Sequence, residues 1–276
     1  MGGTRRSALP GFRITLGFTV FYLSALVLLP LSLLVVKSAS GGWGGFWAAV
    51  TTPRSMASLR FTLLTSMAAA AINAVLGFVL AWVLARYTFP GRRVVDALVD
   101  LPLALPTAVA GIALTSVYSD GGWIGSPLAR RGIHLAFAWP GVVIALVFVG
   151  LPFLVRTVQP IILELDPAVE EAASTLGAGP IRIFVQVVLP ALLPALRAGF
   201  AAAFARAVGE YGSVIFIAGN MPMKTEISSL LIMTKLDQYD YVGAASIGVV
   251  MLALSLMMLI VIHTWRTATE RRRASA

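Results

Sequence analysis

Residues 165–180 read Leu165-Asp166-Pro167-Ala168-Val169-Glu170-Glu171-Ala172-Ala173-Ser174-Thr175-Leu176-Gly177-Ala178-Gly179-Pro180, and the signals that start and stop a helix are all present within them. Asp166 can cap the helix, Pro167 suits its first turn, and Glu170 and Glu171 sit near the positive end of its dipole. Gly177 and Pro180 stop it. The spacing predicts a helix of about ten residues. Its body, Ala168, Glu171, Ala172, Ala173 and Thr175, is small enough for close packing into a groove on another protein. A plain surface helix explains the caps but not so small-sided a face.

Outward from this segment the chain turns apolar. Six runs reach the length of about 20 residues that a helix needs to cross a bilayer core. They are Ile14–Val36, Phe61–Ala85, Val94–Tyr118, Pro140–Val158, Ala191–Ala218 and Val242–Trp265. Composition agrees: 58% of the 276 residues are hydrophobic and 12% are charged, far from the balance of soluble domains. The expected fold class is therefore an all-α integral membrane bundle of six transmembrane helices. The first run follows Arg5, Arg6 and Arg13 and ends near Ser38-Ala39-Ser40, a passable cleavage site. Its 23 residues exceed the roughly 7–15 of a signal-peptide apolar region, so a retained helix is expected.

Basic residues set the orientation. With the N-terminus inside, twelve flank the cytoplasmic side: Arg5, Arg6, Arg13, Arg86, Arg92, Arg93, Arg156, Arg182, Arg266, Arg271, Arg272 and Arg273. Seven flank the other: Lys37, Arg54, Arg60, Arg130, Arg131, Lys224 and Lys235. Both termini are thus expected in the cytoplasm, with the basic tails against anionic lipid headgroups.

Other function classes lose ground on composition and motif. The formal charge is +9, yet the Lys and Arg residues lie between apolar runs, not on a basic stripe interleaved with aromatics, so nucleic acid is not an expected partner. There is no cysteine, which removes disulfides, thiolate metal sites and cysteine nucleophiles. None of the three lysines follows a glycine, so there is no phosphate-binding loop, and any ATP must be bound by another chain. Neither H-E-x-x-H nor G-x-S-x-G occurs, and the two histidines, His134 and His263, fall in an outer loop and near an inner boundary. No catalytic residue, metal site or cofactor is expected in this chain.

Glu171-Ala172-Ala173, then Gly177 after three residues, then Val187, Leu189 and Pro190 after nine more, resembles the EAA loop of ATP-binding-cassette importer permeases. Val187 departs from the usual isoleucine. Further stretches resemble the T-type permease subunits of sulfate/thiosulfate importers: Asp100-Leu101-Pro102 through Gly111, Pro152-Phe153-Leu154-Val155-Arg156 through Pro160, Gly209-Glu210-Tyr211-Gly212 through Asn220, Lys224-Thr225-Glu226, and Leu9-Pro10-Gly11-Phe12. Molybdate/tungstate permeases share the loop and a similar Gly-Glu-aromatic-Gly element and are the nearest alternative. The resemblance implies a type-1 permease core at 58–263, with residues 1–57 as an N-terminal addition, 264–276 as a basic cytoplasmic tail, and the EAA loop at 164–190. It also implies a multi-pass protein of the bacterial plasma (inner) membrane. Its implied partners are a homologous second permease subunit, two ATPase subunits that bind ATP-Mg, and an external sulfate/thiosulfate-binding protein. By that resemblance Glu170, Glu171, Ala172, Ala173, Gly177, Val187, Leu189 and Pro190 form the loop that docks on the ATPase.

The third and fifth runs hold the candidate translocation path. Pro102 and Pro106, followed by Thr107, remove backbone donors within one run and leave carbonyls for neighbours or cavity water. Such interruptions mark transport paths in some folds and packing kinks in others. Arg206 and Glu210 are four apart and can pair, which lowers their membrane cost; Arg206 can also offer donors to an oxyanion. Small residues at four-residue spacing, Asn73, Gly77 and Ala81 and again Ala244 and Gly248, suit close helix contacts.

Overall fold

The computed structural model describes residues 12–274. Arg5, Arg6 and Leu9-Pro10-Gly11 lie outside the described residues. Helices account for all regular structure among those described. Five are long and apolar enough to cross a membrane: α1 (Ile14–Ala39), α3 (Pro53–Arg86), α8 (Trp139–Glu164), α10 (Pro180–Val208) and α13, which runs Tyr241–Ala274 with its apolar stretch at Tyr241–Met258. Between them lie α2 (Gly42–Val50), α4 (Arg92–Val99), α5 (Leu101–Ala104), α6 (Thr107–Tyr118), α7 (Gly125–Ala129), α9 (Pro167–Thr175), α11 (Val214–Ile217) and α12 (Ser228–Asp237).

The third apolar run is not the single helix that its composition predicts. It breaks into α4, α5 and α6. Leu105 is extended (φ −82°, ψ 138°) directly before Pro106, because the proline ring crowds the residue preceding it out of the helical region. Pro106 then serves as the N-cap of α6 with ψ 129°. The fifth run also differs: α10 begins at Pro180 and ends at Val208, so Glu210 lies in the following turn and not on the helix of Arg206.

Prolines also explain two irregular turns. Ser24–Leu28 and Phe184–Val188 are π turns in which Leu29 and Leu189 donate to the carbonyls five residues back, Ser24 and Phe184. A proline follows each, Pro30 and Pro190. It has no N–H to continue the ladder, and the wider turn accommodates the lost bond.

The core is a tight trio of α3, α8 and α10. Leu84, Leu154, Val155, Val158, Ile162 and Leu192 are almost wholly buried in one cluster on one half, and Ala69, Val142, Ala145 and Leu146 in another. Small residues set the spacing: a Cβ on Gly77 would stand 2.6 Å from Leu154 Cδ2, and one on Gly150 would stand 2.6 Å from Asn73 Nδ2. Larger side chains there would force the helices apart. The contacts also give direction. Asn73 meets Val147 and Gly150, whereas Gly77 meets Leu151 and Leu154, so α3 and α8 run parallel. Gly150 faces Ala203 and Gly199 faces Leu154, so α10 runs antiparallel to α8. Gly248 faces Leu34 and Gly41 faces Val242, so α13 runs antiparallel to α1.

Candidate functional site

α9 is built as its sequence dictates. Ala168 N–H donates to Asp166 Oδ1 (2.9 Å), and Pro167 opens the helix. At the other end Gly177 has φ +83°; its N–H donates to Ser174 O (2.9 Å) and Ala178 N–H donates to Ala173 O (3.1 Å). That pair of bonds is a Schellman stop, which places a glycine in the left-handed region. Glu171 and Ala172 are exposed and Ala173 is half-buried. Exposed apolar side chains surround them: Val169 at 53%, Leu176 at 88% and Ile181 at 80%.

Four of the nominated loop positions lie apart from the exposed face of α9. Glu170 does not face outward: its Oε1 accepts from Arg86 Nη2 at the end of α3. Val187, Leu189 and Pro190 belong to the body of α10, Val187 inside the π turn and the other two just after it. Spacing along the chain could place Glu170 on α9, but not its partner 84 residues away.

The nominated path residues cluster only partially. Arg206 Nη1 and Glu210 Oε2 are 2.5 Å apart, with side chains 29% and 2% exposed. Glu210 Oε1 also accepts from Ser213 N–H and Ser213 Oγ, both at 2.8 Å. Its burial is tolerable because both oxygens have partners. Thr107 touches the same turn: a Cβ on Gly212 would stand 2.1 Å from Thr107 Oγ1, and one on Gly111 would stand 2.5 Å from Ser213 O. The break at Pro106 therefore lets the first turn of α6 lie on the Glu210–Ser213 turn. Pro102 is buried, whereas Pro106 is exposed.

Four further polar sites pair side chains that the sequence reading did not bring together. Arg156 on α8 binds Asp100 through Nε to Oδ1 (2.8 Å) and Nη2 to Oδ2 (2.7 Å), and binds Asp96 and Gln159 through Nη1, both at 2.7 Å. This clamp ties α4 and the start of α5 to α8. On the opposite side Arg54 makes a fork to Glu226, 2.8 and 2.6 Å, with Glu226 only 1% exposed. Beside it, Ser228 N–H donates to Thr62 Oγ1 (2.8 Å). Asp240 caps α13 through Gly243 N–H (2.8 Å) and pairs with Lys235 (2.7 Å); Lys235 first and the Gly243 N–H second hold its carboxyl below the usual range. His134 lies 2.9 Å from Asp120, both more than half exposed. Among the described residues no group of three or more metal-ligating side chains assembles.

Residues 73–274 match the model of the family described as "Binding-protein-dependent transport system inner membrane component". The chain is 47% identical over 267 residues to the sulfate transport system permease protein CysT of Escherichia coli, covering 97% of this chain and 96% of that one. It is 50% identical over 254 residues to the protein of the same name in Synechococcus elongatus, covering 92% and 91%. Among solved structures it resembles a chain of a bacterial alginate ABC transporter in complex with an alginate-bound periplasmic protein, with TM-score 0.76, 18% identity and 94% of each chain covered. A chain of an amino acid ABC transporter matches with TM-score 0.53 and 19% identity over 79% of this chain and 94% of that one. The chain is a multi-pass, all-helical protein with the fold of importer permeases, and it belongs to the binding-protein-dependent transport system inner membrane component family.

Proposed function

We infer that this chain is the membrane-spanning permease subunit of an ATP-binding-cassette importer that carries sulfate or thiosulfate into the cytoplasm. The observation that carries the reading is near full-length similarity, 47% over 97% of the chain, to a sulfate permease. That level of identity favours sulfate over the molybdate/tungstate alternative. The sequence has no phosphate-binding loop, and in this reading separate ATPase subunits with ATP-Mg supply the energy. Its other partners are a second, homologous permease subunit and an external binding protein for the anion; the alginate transporter, solved with its periplasmic protein, supports the latter kind of partner.

The proposed layout keeps six crossings, the third made by the broken α4–α6 run, and places both termini in the cytoplasm with α9. The parallel packing of α3 and α8 supports it, since the intervening chain must return across the membrane. The core is taken as 58–263, flanked by an N-terminal segment at 1–57 and the tail at 264–276.

In this layout α9 docks on the ATPase through Glu171, Ala172 and Ala173, presented by the Gly177 stop. ATP-driven closure of the ATPase dimer displaces α9 and switches the bundle between outward and inward access. Thr107 and Arg206 offer donors to the tetrahedral dianion at the break near Pro106, and Glu210 holds the Arg206 guanidinium in place. Arg is suited to oxyanions through its several donors, and partial neutralisation by Glu210 keeps binding weak enough for release.

Deleting the gene should abolish sulfate uptake, and restoring the chain should return it, with excess thiosulfate competing. Intact sulfate uptake together with lost molybdate uptake would overturn the assignment.

A further inference from the structure

The two adjacent glutamates of α9 point in two directions. Glu171 is exposed. Glu170 turns back onto its own subunit and accepts from Arg86 at the inner end of α3, with side chains 30% and 22% exposed. Arg86 is itself built into the bundle. Its guanidinium lies 5.2 Å from the Trp82 ring centroid, one turn earlier on α3. Its Nε is buried without a hydrogen-bond partner among the described residues. Trp82 in turn meets Phe184 edge-on with centroids 5.8 Å apart, and Phe78 lies 6.1 Å from both rings. Phe184 opens the π turn at the head of α10. Carboxylate, guanidinium, indole and phenyl ring thus join α9 to α3 and α10 in one chain of contacts.

Neither neighbouring helix runs unbroken into α9. Leu165 before it is extended (φ −66°, ψ 122°), and the left-handed Gly177 with Gly179 follows it. Such joints absorb rotation in a few backbone dihedrals. The ion pair is therefore the stiff connection between α9 and α3, the helix that packs lengthwise on α8 and α10. Charge assistance makes it stronger than a neutral hydrogen bond, and the ring face holds the cation in register.

We propose that Glu170 and Arg86 are positioning residues that form the joint by which displacement of α9 is passed to α3 during transport. The proposal rests on reading α9 as the helix that docks on the ATPase. A contact that only holds the loop in shape would lower uptake and ATP hydrolysis together. A transmitting joint sets how much anion moves for each ATP consumed.

The test uses the complete transporter reconstituted in liposomes, with ATPase recovery, ATP hydrolysis and sulfate uptake measured on each preparation. Glu170→Gln and Arg86→Gln should retain ATPase recovery while uptake per ATP falls by about fivefold or more, the low end of usual coupling energies. Arg86→Lys, which keeps the charge and the ring contact, should retain most of the ratio. The double Gln variant should be no worse than either single one, as expected of two ends of one interaction. A wild-type ratio in Glu170→Gln, or a double variant whose loss is the product of the single losses, overturns the joint. Lost ATPase recovery in Glu170→Gln also overturns it, by placing Glu170 in the docking surface. Absence of ATPase from the wild-type preparation sinks the docking reading itself, and is seen before any substitution is made.

Discussion

At the scale of single residues, the Arg206–Glu210 pair shows how a charge is kept inside an apolar bundle. Glu210 is 2% exposed and has three donors, from Arg206 and twice from Ser213. Arg206 keeps 29% of its side chain exposed, so the two are unequal: Glu210 depends on Arg206 more than the reverse. Arg206→Gln should leave a buried, under-compensated carboxylate and cost about 3–5 kcal/mol. Assembly in the membrane, measured as recovery of intact complex in detergent, should fall sharply. Changing Arg206 and Glu210 to Gln together removes the stranded charge and keeps an acceptor for Ser213, so assembly should return. On the proposed path, transport should stay lost in the double variant, because the cationic guanidinium offered to the anion is gone. Full transport by the double variant would eliminate any role for Arg206 in the path, and normal assembly of Arg206→Gln would eliminate the pairing argument.

At the scale of elements, α9 is a short helix whose geometry depends on one backbone angle. Gly177 stands at φ +83° with open space around the position of a Cβ, so the cost of a side chain there is conformational, not steric crowding by neighbours. An L-residue pays about 1–2 kcal/mol in the left-handed region, more readily met by Asn than by a β-branched residue. Gly177→Val should insert and pair normally yet recover ATPase poorly in a quantitative pull-down, and Gly177→Asn should lie near wild type; wild-type ATPase recovery and uptake in Gly177→Val would show that this loop is not the coupling site. The caps of α9 were legible because capping is local: Asp166, Pro167 and Gly177 carry their own instructions. The break of the third run was half legible, since Pro102 and Pro106 announced an interruption but not that α6 would fold onto the Glu210–Ser213 turn. Arg86–Glu170, Arg156–Asp100 and Arg54–Glu226 were not legible as pairs. Their partners are 84, 56 and 172 residues apart, and only the packing of whole helices brings them together.

At the scale of the molecule, the number of crossings follows from helix direction better than from helix length. Length alone gives five spans among the described residues, because α6, at Thr107–Tyr118, is too short to qualify. Five crossings would make the chain between α3 and α8 re-enter the side it left, and α8 would then run opposite to α3. The contacts run the other way: Asn73 with Val147 and Gly77 with Leu154 ascend together. In the proposed layout the α4–α6 run carries the chain across, its broken helix held inside protein where Arg156 Nη2 donates to the Asp96 carbonyl and α6 packs on the Glu210–Ser213 turn. That layout puts the segment around Arg130 outside and α9 inside with both termini. A chain without cysteine allows a clean measurement by single-cysteine labelling in intact cells. Arg130→Cys, at an exposed position, should react with a membrane-impermeant maleimide from outside. Ser174→Cys on the exposed face of α9 and a cysteine placed after Arg272 should react only once the membrane is permeabilised. Protection of the Arg130 site in intact cells, with the other two labelled, would overturn the layout, because both an inverted six-span bundle and a five-span chain with its N-terminus inside give that pattern.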